Sequence, residues 1–361
     1  MVRNGTVLLA NESGKIIVDH NSNAFFVPAS IVKILTSLVA LEKWGSDHRF
    51  TTSVYAKENE VWLKGMGDPS LVSEELILIA QHLKKLGVQH INQLNLDASY
   101  FATEIDIPGT SGTNNPYDAL NGALIVNFNS AFVGKQKNGT VYSAEPITPL
   151  TPLTTLKAKK LRSGQEERIN LTMKQSESLQ YVGELFLAIC NKEGIDTHSA
   201  TIQFSKAPER KPDYLHHNSQ KLEQILKSLL KYSNNFIANQ ILLQLSKETP
   251  KTLSGAINQY REIVHKLFNE DLKGAQFFEA SGLSRDNRIT AQQMLNVLQK
   301  FKPYASLLSE KRGVLLKSGT LTGVYNYAGY IKTKQGLKPF VIMLSQSKNN
   351  RDEILTLLKK Q

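Results

Sequence analysis

The sequence predicts an α+β fold in which both ends of the chain build one antiparallel sheet and a large α+β segment is inserted between them. Three observations predict it. Strand-like runs with turn signals lie at both termini, at residues 6–10 and 15–19 and again from 313–316 onward, 325–332 and 340–345. Helical periodicity lies just inside them, at 28–45 and again after Pro212. Between about 50 and 205 the texture changes to short strand-like stretches separated by turn-rich loops. Residues 1–54 and 211–361 are therefore expected to form one domain, with 55–210 an inserted α+β one. A length of 361 residues accommodates both.

The first two strands flank Glu12-Ser13-Gly14, a short loop with glycine available for positive φ. Pro28 then opens a helix whose apolar face is Ile31, Ile34, Leu35, Leu38, Val39 and Leu41, and Gly45 stops it. Inside the insertion, strands are expected at 51–56, 94–96, 123–128 and 168–173, and helices at 73–86 and 179–192. Beyond Pro212, Leu222, Ile225, Leu226, Leu229 and Leu230 follow amphipathic helical spacing. Ser233-Asn234-Asn235 interrupts that helix, and 236–245 resumes it. Gln335-Gly336 separates the last two strands, and a helix over 352–360 closes the chain.

Composition excludes several classes. The chain is 41% hydrophobic, so it is neither disordered nor fibrous. A single cysteine, Cys190, rules out a disulfide scaffold. No apolar run approaches the ~18 residues of a spanning helix, so no transmembrane segment is expected. No signal peptide is read either, because Met1 leads within a few residues into strand-like sequence. The formal charge is +11, but the lysines are spread along the chain. The one dense cluster, Lys157, Lys159, Lys160 and Arg162, contains no aromatic residue and reads as a solvated loop. Nucleic acid is therefore not an expected partner.

The eight histidines are scattered, and no Cys/His spacing suits zinc, so no metal or other cofactor is expected. No glycine-rich phosphate loop follows a strand, and no Gly-x-Ser-x-Gly elbow is present. What remains is a serine–lysine arrangement. Ser30-Ile31-Val32-Lys33 places a hydroxyl and an amine three apart at a helix start, on one face of that helix. A serine hydroxyl needs a base to become a nucleophile, and a lysine serves once burial and a second cation lower its pKa. Ser-x-x-Lys alone is weak evidence, since it also occurs at Ser228 and Ser345. Order selects among the three. Only Ser30 precedes both a Ser-x-Asn (Ser233, Asn235) and the single Lys-Ser-Gly (Lys317, Ser318, Gly319, then Thr320) with a domain's length between. That ordered triple is the pattern of penicillin-binding proteins and serine β-lactamases.

With these motifs the chain resembles the serine D-alanyl-D-alanine carboxypeptidase/endopeptidase family, the class C low-molecular-mass penicillin-binding proteins. The stretches 26–30, 65–71, 122–129, 281–285 and 317–329 extend the resemblance over most of the chain, insertion included. It implies a penicillin-binding/serine β-lactamase-like transpeptidase fold. It also implies cleavage of the terminal D-Ala-D-Ala bond of peptidoglycan peptides through an acyl-enzyme, with β-lactam antibiotics as covalent inhibitors. Ser30 would be the nucleophile and Lys33 its base. Ser233 and Lys317 would relay a proton to the leaving D-alanine, and Asn235 would bind the acyl-chain amide. Ser318 and Thr320 would hold the terminal carboxylate beside Gly319, with the N–H groups of Ser30 and Thr320 as the oxyanion hole.

Several features depart from the family. Lys-Ser-Gly replaces Lys-Thr-Gly, and Glu279-Ala280-Ser281-Gly282 stands where members read Asp-Gly-Ser-Gly, which is expected to move that loop. Asn127 aligns with an acidic residue that grips a diaminopimelate amine in some members. The stretch 135–167 is short, so a third domain is expected to be reduced. The location implied is periplasmic or otherwise extracytoplasmic, with the export signal expected upstream. A β-lactamase or esterase on the same fold, and a non-catalytic peptidoglycan-binding relative, are the competing readings.

Overall fold

The computed structural model describes residues 2–103 and 105–361; Met1 and Glu104 lie outside the described residues. Both ends of the chain do meet in one sheet. Its order is β13 (Ser309–Lys311), β14 (Val314–Leu321), β15 (Val324–Lys332), β16 (Leu337–Ser345), β1 (Gly5–Ala10) and β2 (Ile16–His20), antiparallel throughout. Period-two alternation gives it two apolar faces. Leu8, Ala328, Tyr330, Val341 and Met343 pack into the main core, while Val7, Leu9, Phe340, Ile342 and Leu344 pack with Ile354, Leu355 and Leu358 of the closing helix α9 (Arg351–Leu358).

Helix α1 (Lys33–Trp44) runs through the main core, buried all round from Lys33 to Leu41, and Gly45 ends it at φ 78°. Around it pack α5 (Leu222–Tyr232), α6 (Asn235–Gln244), α7 (Leu253–Phe268) and α8 (Ala291–Phe301). The expected α5 face is the buried face. A two-strand clip of β3 (Phe25–Phe26) and β12 (Ile289–Thr290) ties the segment before α1 to the start of α8.

The middle of the chain has a core of its own. Its mixed sheet runs β10 (Thr201–Phe204), β6 (Gln93–Asp97), β5 (Glu60–Gly65), β4 (Thr51–Lys57), β11 (Tyr214–His217), covered by α2 (Ser73–Lys85) and α4 (Gln175–Lys192). The expected boundaries at 54/55 and 210/211 fall within β4 and just before β11, the two strands that pair where the chain leaves and returns. The short stretch 135–167 completes a small sheet of β8 (Val141–Ser143), β7 (Ser130–Lys135) and β9 (Glu166–Asn170), with α3 (Pro152–Lys159) beside it.

Two local expectations are corrected. Residues 123–128 form no strand: they are bends leading into a 3₁₀ turn, with Asn127, Phe128 and Asn129 at φ 49°, 60° and 51°. The asparagine side chains compete with a ladder, Asn127 Oδ1 accepting from Ser73 N and Asn129 Nδ2 donating to Thr172 O. Lys157 and Lys159 belong to the last turn of α3, not to a loop, where cations suit the helix's negative end. Among the described residues no helix is long and apolar enough to cross a membrane.

Candidate active site

The nucleophile's turn comes first. Ala29–Val32 is 3₁₀ rather than α-helical, and α1 starts only at Lys33. Ala29 sits at φ 47°, a strained value for a residue with a Cβ. Three neighbours hold this strain. Asn326 of β15, fully buried, donates from Nδ2 to the carbonyls of Val27 (2.9 Å) and Pro28 (2.7 Å). Gly282, at φ 82°, backs onto Ala29 so closely that a Cβ would stand 1.9 Å from its carbonyl oxygen. Gly319 of β14 lies against the other side, where a Cβ would come within 2.9 Å of Pro28 O and 3.1 Å of Ser30 N. Glycine at both positions lets strand and loop backbones close on the turn.

Lys33 is fully buried. Its Nζ donates to Ser30 Oγ at 2.9 Å, Asn235 Oδ1 at 2.7 Å and Ser281 O at 2.5 Å. Desolvation, then the nearby Lys317 charge, push its pKa well below the ordinary lysine value, and Glu279 opposes them only in part. The three acceptors differ chemically. A carbonyl oxygen, whether of Asn235 or Ser281, can only accept, whereas a hydroxyl can reverse roles. When Lys33 loses a proton, Ser30 is the one of these three that can donate into the lone pair that appears. The geometry therefore aims the base at Ser30.

Ser233 ends α5 in the left-handed conformation, φ 57°, and Asn234 caps α6 by accepting from Ile237 N. This break between two helices places Ser233 on one buried lysine, Lys317, and Asn235 on the other, Lys33. Lys317, on β14 and 2% exposed, donates to Ser233 Oγ and Ser318 O, both at 2.8 Å. Burial and then the Arg351 charge bring its pKa down to about 8. Asn235 Nδ2 donates to Tyr117 O at 3.1 Å. The eight residues singled out in the sequence fall in two hydrogen-bonded sets, Ser30–Lys33–Asn235 and Ser233–Lys317, with Ser318, Gly319 and Thr320 following Lys317 on β14, and the Lys317 charge is felt at Lys33.

Other contributors escape motif reading. Glu279, 2% exposed, accepts from Ser281 N and Oγ (2.7 and 2.6 Å), Gly282 N (2.7 Å) and Asn287 Nδ2 (2.8 Å), organising the loop that brings Ser281 O to Lys33. Ala280 costs the loop nothing, because the positive φ falls on Gly282. Asn326 and Arg351 carry no motif. Asn127 is not part of the cluster: it is buried on Ser73 and Tyr181 in the middle core.

Residues 3–178 and 161–310 match the family model described as the D-Ala-D-Ala carboxypeptidase 3 (S13) family. The chain belongs to that family. This S13 chain is a serine-type hydrolase with DD-peptidase function. It is 24% identical over 415 residues to a D-alanyl-D-alanine carboxypeptidase of Actinomadura, covering 94% of this chain and 77% of the relative. It is also 24% identical over 395 residues to the D-alanyl-D-alanine carboxypeptidase DacB of Haemophilus influenzae, covering 90% and 81%. In fold, the S13 chain is similar to penicillin binding protein 4 from Haemophilus influenzae (TM-score 0.79, 20% identity, 99% of this chain and 95% of that one). It is also similar to a predatory endopeptidase from Bdellovibrio bacteriovorus (TM-score 0.60, 18% identity, 100% and 92%).

Proposed function

We propose that Ser30 carries the acyl-enzyme of a DD-peptidase acting on peptidoglycan peptides. The observation behind this reading is the buried, proton-poor Lys33 with Nζ 2.9 Å from Ser30 Oγ, its other two hydrogen-bond partners among the described residues being carbonyl oxygens. Lys33 takes the hydroxyl proton as Ser30 Oγ attacks the carbonyl of the penultimate D-alanine. The N–H groups of Ser30 and Thr320 take the developing oxyanion. Lys317 polarises Ser233, whose own proton passes to the leaving D-alanine nitrogen and is replaced by the one Lys33 took from Ser30. Asn235 receives the acyl-chain amide, and Ser318 and Thr320 the terminal carboxylate. Water then attacks the acyl carbonyl, Lys33 taking its proton and returning it to Ser30 Oγ as the ester C–O bond breaks. Cross-links broken on the carbonyl side of a D-alanine fit the same chemistry, so endopeptidase action belongs to the proposal. Residues 1–54 with 211–361 act as the catalytic unit and 55–210 as its insertion. A wall substrate sets the place of action outside the cytoplasm, periplasmic or extracytoplasmic.

β-Lactams carry an acylating carbonyl beside a carboxylate and are proposed covalent inhibitors. A β-lactam complex of the Haemophilus influenzae protein and a penicillin G-acylated Bdellovibrio bacteriovorus endopeptidase are known among similar folds. The test is labelling with fluorescent penicillin, read by intact mass, for wild type and Ser30→Ala. One adduct on the wild type and none on the variant is the expected result. An unlabelled wild type, or equal labelling of both, sinks the assignment. Rapid release of hydrolysed penicillin would favour a β-lactamase.

A further inference from the structure

Arg351 opens α9, a helix of eight residues, at the end where the backbone dipole disfavours a cation. Its placement costs more than that. No carboxylate lies within ion-pair distance of it among the described residues, although Asp352 is its sequence neighbour; Asp352 Oδ1 instead accepts from Tyr327 OH at 3.0 Å. The guanidinium lies over the Tyr327 ring, 4.4 Å from its centroid. Nη1 donates to Thr320 Oγ1 at 2.8 Å and to Gly319 O at 3.1 Å, while Nε is buried with no hydrogen-bond partner among the described residues. A half-buried, unpaired cation with an idle donor is costly to a fold unless an anion arrives. It sits on the hydroxyl of Thr320, at the open edge of β14 beyond the reach of β13.

We propose that Arg351 is the specificity residue for the substrate's C-terminal carboxylate, binding it together with the Thr320 hydroxyl it orients. The proposal rests on the DD-peptidase reading above and deepens it. Lys317 is committed to Ser233 and Ser318 O, so the carboxylate's countercharge has to come from a cation not already engaged in proton relay. Arg351 meets that requirement, with planar donors matched to a carboxylate. Substrates ending in a free carboxylate are thereby favoured over those with a neutral end.

Two acyl-D-alanyl thioesters separate the possibilities. One has a leaving thiol bearing a carboxylate, the other a neutral thiol of equal length; each transfers its acyl group to Ser30 and releases the thiol. Wild type should prefer the anionic ester. Arg351→Gln and Arg351→Met should lose roughly 10- to 100-fold in kcat/KM on the anionic ester, mostly in KM, and little on the neutral one. Arg351→Lys should restore part of the preference. Equal losses on both esters would mean a structural role, and no loss on either would mean no role; both outcomes overturn the proposal. The neutral ester also reports whether each variant is folded. If wild type turns over neither ester, the DD-peptidase reading fails first and takes this inference with it.

Discussion

Two buried polar clusters in this molecule are built from opposite materials. Around α1, Lys33 and Lys317 are satisfied only by hydroxyl and carbonyl oxygens, and neither forms an ion pair with a carboxylate among the described residues. At the seam between β11 and α2, His216 Nε2 meets Glu75 Oε2 at 2.6 Å, and Glu75 also accepts from Ser219 N at 3.0 Å. Burial works to raise the Glu75 pKa, but the bonds from His216 and Ser219 outweigh it and hold the carboxylate below its usual range. Neutral oxygens accept hydrogen bonds without supplying countercharge, so the first cluster binds its protons weakly and can lend them. The second is compensated within itself and ties β11, where the chain re-enters, to α2. Uncompensated burial marks chemistry here; compensated burial marks architecture.

The sharpest way to break that contrast is to remove the reactive groups. Ser30→Ala should abolish penicillin acylation, a loss of roughly 10⁴-fold or more, with the melting temperature unchanged. Lys33→Met keeps the volume and removes the buried amine. It should lower acylation by about 10²–10⁴-fold while leaving stability equal or higher. Acylation at the wild-type rate in Lys33→Met would remove this lysine from the mechanism.

The seam should respond the other way. His216→Ala leaves a carboxylate buried without its imidazole and should destabilise the protein by about 3 kcal/mol in urea unfolding, with kcat of the folded fraction intact. Because the Glu75 pKa is depressed in the fold, its stabilisation is present above the unfolded glutamate value. It is lost as pH falls through the lower folded value, so wild type and His216→Ala should converge in stability at acid pH. A large fall in kcat with normal stability would make the seam functional and erase the contrast.

How much of this was legible in the sequence depended on whether a residue works through local order or through tertiary approach. The terminal strands, α1 and α5 follow simple periodicity, and Ser30, Ser233 and Lys317 are readable because their motifs recur in fixed order. Residues 123–128 misled because buried Leu124 and Val126 mimic a strand, while Asn127 and Asn129 divert the backbone into left-handed turns. Helices α7 and α8 fall outside the elements expected from the sequence, although both carry a buried face. Asn326 acts on a segment 298 and 299 residues away, and Arg351 on one 31 away, with no spacing rule to announce either. Glu279 was visible only as a departure from Asp-Gly-Ser-Gly. Its extra methylene still lets the carboxylate gather the N–H groups of Ser281 and Gly282. Glu279→Gln turns an amide toward those donors and should lower kcat/KM about tenfold, checked beside its melting curve.

The gentlest prediction concerns pH and tests the two lysines separately. Catalysis needs Lys33 neutral and Lys317 protonated, so kcat/KM should rise with pH through the low Lys33 pKa and fall again as Lys317 deprotonates near pH 8. The Arg351 charge helps to depress Lys317, so Arg351→Gln should let the Lys317 pKa rise and move the alkaline limb upward. The neutral thioester is the substrate to use, because its binding is independent of the guanidinium. Glu279 works in the opposite sense on Lys33, so Glu279→Gln should move the acid limb downward. The two shifts are expected on different limbs in different variants. If Arg351→Gln moves the acid limb instead, the proton roles of Lys33 and Lys317 are exchanged. If neither limb moves, the pH dependence belongs to groups outside the cluster.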